Sequence, residues 1–319
     1  MDYLTQHWSF GPYVVVATVA AAANELGLYR LGRRSLAAHQ KVRRRRSLLF
    51  YAGLILLVVG VDSPIEYWSF RYFYVHMIGH ILVSFFVAIL VVAGAPWVPL
   101  IHSVPVTVRR WVGRRLYLGR YRGGVRAVGR FVIAPWTALI SFNAAMVFWH
   151  LPAPFDLSQG NLLVHTWLMY GSLVVTGVLF WLQILPSHPF RPRATAVWQM
   201  GAIISTNIVM FVLAMSMSIL TSHSWYGVYA HVPGVALAPF ADQQIGAAIL
   251  WVCGDFWAVP ALVYVIKRAV DEEGSLSDVL DSFLNRSSGS GIDDLWSPAA
   301  LGGWADRNGE GDGTSVGDQ

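Results

Sequence analysis

Apolar positions run along this chain in long blocks, with polar residues gathered between them. Seven blocks stand out, at about 12–29, 47–63, 72–99, 131–149, 161–185, 197–220 and 242–265. They approach the roughly 20 residues that an α-helix needs to cross hydrocarbon. Nothing in a bilayer core can bond a free backbone amide, so spanning segments of this kind are helices. A membrane β-barrel would instead show alternating segments of roughly ten residues, and the sequence has none. The second block is short and begins inside the preceding loop. The pattern predicts an all-α, polytopic membrane protein with seven transmembrane helices over residues 1–268. An acidic, Gly/Ser-rich tail follows over 269–319, mostly disordered, with one short helix near 275–285.

Composition agrees with the blocks. The chain is 55% hydrophobic and 13% charged, against about a quarter charged in soluble domains. Its net charge of +5 would suit a nucleic-acid partner, but the placement of the basic residues excludes that reading. Eight lie in 30–46, eight in 102–130, two in 186–196 and four after 266, so 22 of the 23 occupy alternate connections and only Arg71 lies in the others. Positive residues stay on the cytoplasmic side. The N-terminus is therefore expected outside and the C-terminus in the cytoplasm, with the arginines serving topology and lipid headgroups. The first residues carry no basic stretch ahead of an apolar one, so they do not read as a cleaved signal peptide. Cys253 is the single cysteine, which excludes an internal disulfide and cysteine-based zinc or iron–sulfur sites.

The ten histidines sort by side. His39, His102 and His188 fall with the arginines, and His7 in the outer N-terminal segment. The other six, His76, His80, His150, His165, His223 and His231, fall at outer helix ends or in outer loops. His76 and His80 are four residues apart, so they share a helix face. His80 sits about 12 Å along its helix, and an ionisable residue at that depth faces the bundle interior. His150 and His165 lie at matching depth on the next two helices, joined by a short outer loop. The spacing predicts that the four imidazoles converge in a shallow pocket near the outer rim.

A lone intramembrane histidine more often bonds a neighbouring helix than a metal. Four at one depth point to a metal site, and imidazole suits copper, zinc and iron. Met77 is an auxiliary candidate, since thioethers favour Cu(I), although Met77, Met210 and Met217 also suit plain core packing. Asp242, at the outer start of the last block, is either a helix N-cap or an acceptor that orients an imidazole. Glu25 reads as a partner for a nearby arginine, and Asp255 has no evident cationic partner.

These residues together resemble a family. The run His76-Met77-Ile78-Gly79-His80, followed by Gly94-Ala95-Pro96, is similar to the integral-membrane cytochrome c oxidase assembly factors of the CtaG type. Trp149-His150-Leu151-Pro152, His165 with Trp181, Ala241-Asp242-Gln243-Gln244 with Trp251, and Leu28-Tyr29-Arg30 continue the likeness over about residues 10–268. One position departs. Where the family often has a second histidine after that of His165, this chain has Met169, which keeps a soft donor suited to Cu(I).

The resemblance implies a role in building a haem–copper oxidase, with copper handled at the outer face of a bacterial cytoplasmic membrane and oxidase subunits as partners. The residues show no nucleophile, no Ser/His/Asp set and no phosphate loop, so a metallochaperone is expected rather than an enzyme. The expected ligands are His76, His80, His150 and His165, with Met77, Met169 and Asp242 as auxiliaries. Two alternatives use the same histidines. One is a haem-binding redox protein, in which His150 or His165 would oppose one of the other pair. The other is a transporter, for which the chain lacks repeat symmetry.

Overall fold

The computed structural model describes residues 7–32, 37–118 and 122–273. The expected acidic tail lies outside the described residues from 274 onward. Twelve helices follow in order: α1 (Pro12–Gly32), α2 (Ala37–Val61), α3 (Pro64–Ser69), α4 (Phe73–Gly94), α5 (Trp97–Ser103), α6 (Val106–Gly113), α7 (Arg122–Val132), α8 (Pro135–His150), α9 (Pro152–Gly160), α10 (Val164–Trp181), α11 (Ala196–Ser218) and α12 (Pro239–Glu273). A π-turn, Arg114–Leu118, extends α6, a 3-10 turn, Gly227–Tyr229, lies between the last two, and no strand is present among the described residues.

Six of these helical stretches are long and apolar enough to cross a membrane, and a seventh arises if α7 and α8, bent by 58° at their junction, count as one span. Helix α8 alone has 16 residues, about 24 Å of rise, which falls short of a hydrocarbon core of roughly 30 Å. The chain divides into two compact units, Met1–Val263 and Tyr264–Gln319. In the second, the described residues are helical and hold an Arg268–Glu272 ion pair at 3.8 Å.

The third apolar block ends sooner than hydropathy alone suggests. Gly94 closes α4, Ala95 adopts a left-handed φ of 46°, and α5 starts afresh at Trp97. Glycine is the usual residue for a left-handed helix stop, yet here it stands one position early. A Cβ at Gly94 would lie 2.7 Å from the Phe50 backbone nitrogen of α2. The glycine is thus needed for the helix crossing, and alanine takes the strained position at about 1–2 kcal/mol. Every residue from 94 to 101 is apolar, so hydropathy is blind to the break.

Two spans contain π-turns, Leu82–Val87 in α4 and Val164–Tyr170 in α10. A π-turn bonds i→i+5 rather than i→i+4, so residues five apart come to share a face. The two helices also cross closely. A Cβ on Gly177 of α10 would stand 2.5 Å from the Ser84 carbonyl oxygen in the α4 π-turn, the small-residue contact that membrane helices use to approach. Both in-span carboxylates find neutral partners: Glu25, expected to pair with an arginine, accepts from the Tyr51 hydroxyl, and Asp255 accepts from the Asn207 amide at 3.3 Å.

Candidate functional site

Helix α4 places His76 and His80 one turn apart, α8 ends on His150, and α10 brings His165 in its first π-turn. Neighbouring rings touch. Ring centroids lie 4.4 Å apart for His76 and His80, 5.2 Å for His80 and His150, and 5.3 Å for His76 and His165. The four form a chain in the order 165, 76, 80, 150.

Hydrogen bonds link the rings to one another and to Gln159. Gln159, from α9, places its amide nitrogen 3.0 Å from His76 Nδ1 and 3.3 Å from His165 Nδ1. His76 Nε2 and His80 Nε2 share a hydrogen bond at 2.7 Å. His150 donates Nδ1 to the Met146 carbonyl at 2.6 Å, which leaves Nε2 with a lone pair. Three ring nitrogens, His80 Nδ1, His150 Nε2 and His165 Nε2, are buried with no hydrogen-bond partner, and the first two lie on adjacent rings. Such orphans cost about 1–3 kcal/mol each and in native proteins mark a bound ion, water or functional strain.

The histidines do not line a shallow rim pocket. All four have 0% exposure, because residues far apart in sequence close over them. Phe155 of α9 packs 4.9 Å from His76 and 4.2 Å from Tyr226, and Phe73 stacks on Tyr226 at 4.6 Å. Tyr226 donates to the His150 carbonyl at 2.9 Å, and Tyr229 to the Ser69 carbonyl at 2.7 Å. Burial pushes both phenols well up, with the charge of Asp156 adding at Tyr226 and that of Asp242 at Tyr229, so both remain neutral donors.

Sequence reasoning missed Glu66, Gln159 and Tyr170. Glu66 of α3 holds Oε1 2.8 Å from His165 Nε2, a close approach that is off the line of a hydrogen bond, and its Oε2 accepts from the Tyr170 hydroxyl at 2.9 Å. Tyr170 is five residues beyond His165, and their rings lie 5.1 Å apart. The π-turn produces that pairing, since an α-helix would turn them to opposite sides. A signal for Glu66 does exist in Ser63-Pro64-Ile65-Glu66, which fits a capping box. Ser63 does cap α3, accepting from the Ile65 amide at 3.1 Å. The Glu66 carboxylate, however, reaches Tyr170 and His165 instead of turning back on the cap.

The auxiliary candidates fall in different places. Asp242 accepts from the backbone amides of Phe73 at 2.7 Å and Tyr74 at 3.0 Å. It therefore caps α4, the helix that carries His76 and His80, and its carboxylate contacts no imidazole. Met77 is buried with its Cγ toward Gly246 of α12, and Met169 is buried in the α10 π-turn. His223 and His231 are exposed, whereas the four rings are buried. Among the described residues, no group of three or more His, Cys, Asp or Glu is arranged to hold a metal ion. The His76–His80 hydrogen bond gives a reason, since it engages the two Nε2 atoms with each other.

Beside the histidines lies an open cleft of about 540 Å³, formed by the N-terminal segment, α3 and the start of α10 and lined by His7, Asp62, Glu66, Phe70, Leu163 and Trp167 among others. Glu66 has 13% of its side chain exposed, while its partner His165 has none.

Comparison with known proteins adds three findings. A family model described as cytochrome c oxidase caa3 assembly factor (Caa3_CtaG) matches residues 26–272. Two relatives, the uncharacterized proteins Mb0105 of Mycobacterium bovis and MT0111 of Mycobacterium tuberculosis, are each 23% identical over 233 residues, which is 70% of this chain and 34% of theirs. The chain thus spans about a third of the length of the curated relatives it matches. No solved structure matches it.

Proposed function

Because this chain belongs to the cytochrome c oxidase caa3 assembly factors, a family of assembly proteins rather than enzymes, we propose that it handles copper for a haem–copper oxidase through His76, His80, His150 and His165. The observation that carries this reading is the pair of unpartnered ring nitrogens, His80 Nδ1 and His150 Nε2, buried on adjacent rings. Imidazole nitrogen suits copper, and copper bound there would relieve two desolvated atoms at once. His76 and His165 would join as the His76–His80 hydrogen bond gives way to the metal. Met77 and Met169 remain auxiliary donors that would favour Cu(I).

The distribution of Lys and Arg supports an outward-facing histidine end, with the C-terminus in the cytoplasm of a bacterial cell. On that orientation the site faces the compartment where oxidase subunits would receive metal. Packing favours copper over haem. The rings are too close to one another, at centroid distances of 4.4–5.3 Å, to admit a porphyrin between them.

Metal analysis of the detergent-purified protein tests the proposal. The wild-type chain is expected to hold copper in a defined ratio, and the His76→Ala/His80→Ala double variant to lose it. Wild-type stoichiometry in the double variant would discard the reading, and a Soret band in the purified protein would redirect it to haem.

A further inference from the structure

A copper site with no exposed ligand needs a way in. The aromatic cover of Phe73, Phe155, Tyr226 and Tyr229 is itself buried, each residue at 5% exposure or less. On another side of the histidines, the cleft reaches Glu66. Among the residues that touch the four rings, Glu66 both lines this cleft and contacts a histidine, with Oε1 2.8 Å from His165 Nε2. His165 in turn neighbours His76 and shares Gln159 with it. A continuous series of donor atoms therefore leads from open cleft to buried rings: Glu66, His165, His76, His80, His150.

We propose that the cleft beneath the N-terminal segment is the loading and release port for copper, and that Glu66 is a transient entry donor that passes the ion to His165, the holding ligand beside it. This rests on the copper reading above. The chemistry suits a transient role. Carboxylate oxygen is a hard donor that prefers magnesium, calcium or manganese, so it attracts a cation without retaining Cu(I) against imidazoles. Asp62 lines the same cleft, 3% exposed and bonded to the Val14 amide at 2.8 Å, and its negative charge adds to the attraction for a cation there. The Tyr170 hydroxyl, bonded to Glu66 Oε2 at 2.9 Å, aims the other oxygen at His165. Phe70, whose ring lies 4.9 Å from that of His165, forms an apolar wall, so the entering ion meets few competing donors. His7, stacked on Tyr67 at 3.8 Å, stands among the lining residues as a further imidazole for an arriving ion.

Loading kinetics test the port. Purified full-length protein, stripped of metal, is mixed with Cu(I) held by a colorimetric chelator, and both rate and final ratio are read. Glu66→Gln keeps the side-chain shape and an oxygen for Tyr170. It is expected to reach the wild-type ratio at least tenfold more slowly. In a Cys253→Ser background, Leu163→Cys at the cleft and Leu220→Cys outside it, 69% and 75% exposed, are labelled with a bulky thiol reagent. The label at 163 is expected to slow loading tenfold or more, and the label at 220 to leave it unchanged. Wild-type rates in Glu66→Gln, or in labelled Leu163→Cys, overturn the port while leaving copper binding intact. A reduced final ratio in Glu66→Gln overturns the transient role by making Glu66 a holding ligand. A wild-type chain that takes up no copper overturns both readings.

Discussion

Polar groups are treated in opposite ways at the two ends of the bundle. At the histidine end, four imidazoles, Asp242 and Gln243 are almost wholly removed from solvent, each at 2% exposure or less. Asp242 and Gln243 are held by partners outside their own helix. Asp242 bonds across 168 and 169 residues to α4, and Gln243 bonds the Met217 carbonyl and the Trp225 amide, both at 2.7 Å. In the arginine-rich segments α6 and α7 the reverse holds. No residue of α6 is buried, and Arg110, Arg114, Arg115, Arg126 and Arg130 are all exposed. A charge left in water constrains little, whereas a buried polar group must meet a particular partner. The histidine end is therefore where the fold is specified most tightly, and the arginine end is where sequence change is cheapest.

The contrast makes ordered predictions. The largest effect is expected from Asp242→Ala, which leaves the Phe73 and Tyr74 amides without an acceptor. At about 1–3 kcal/mol for each orphaned group, stability should fall by about 2–6 kcal/mol, read as thermal unfolding in detergent. Asp242→Asn keeps one acceptor oxygen and should recover roughly half of that. An unchanged midpoint in Asp242→Ala would break the claim that this cap organises the site. Next is Gly177→Ala, whose new methyl would meet the Ser84 carbonyl at the crossing of α4 and α10. Overpacking of this kind costs about 1–3 kcal/mol, and the same unfolding assay would register it. The smallest effect is expected at the other end. Arg114→Gln with Arg130→Gln should move stability by no more than about 0.5 kcal/mol, and a larger drop would show that the exposed arginines hold the fold as well as its topology.

The two ends also differ in how far they can be read from sequence. Spans and basic connections are properties of composition along the chain, so blocks such as 12–29 and 197–220 reappear as α1 and α11 within a few residues. The histidines are legible because residues four apart on a helix share a face, and all four do come together. What sequence hides is whatever depends on distant partners. Asp242 looks like a local cap because it begins an apolar run, yet its acceptors serve another helix. Glu66 and Gln159 sit in stretches that read as connections, and their task appears only when α3 and α9 fold against α10. The burial of the rings is invisible for the same reason, since the covering aromatics come from residues 73, 155, 226 and 229. The break at Ala95 is hidden because conformation, and not polarity, ends that helix.

The turn at Val164–Tyr170 has a consequence for the ancestry of the site. A π-turn is an ordinary helix accommodating one surplus residue, so a relative lacking a single residue there would relax to regular winding with the span otherwise unchanged. In such a relative the phenol would swing away from the imidazole, and the carboxylate of α3 would lose its anchor. A one-residue gap in this short stretch of an alignment would therefore separate chains that can aim that carboxylate from chains that cannot.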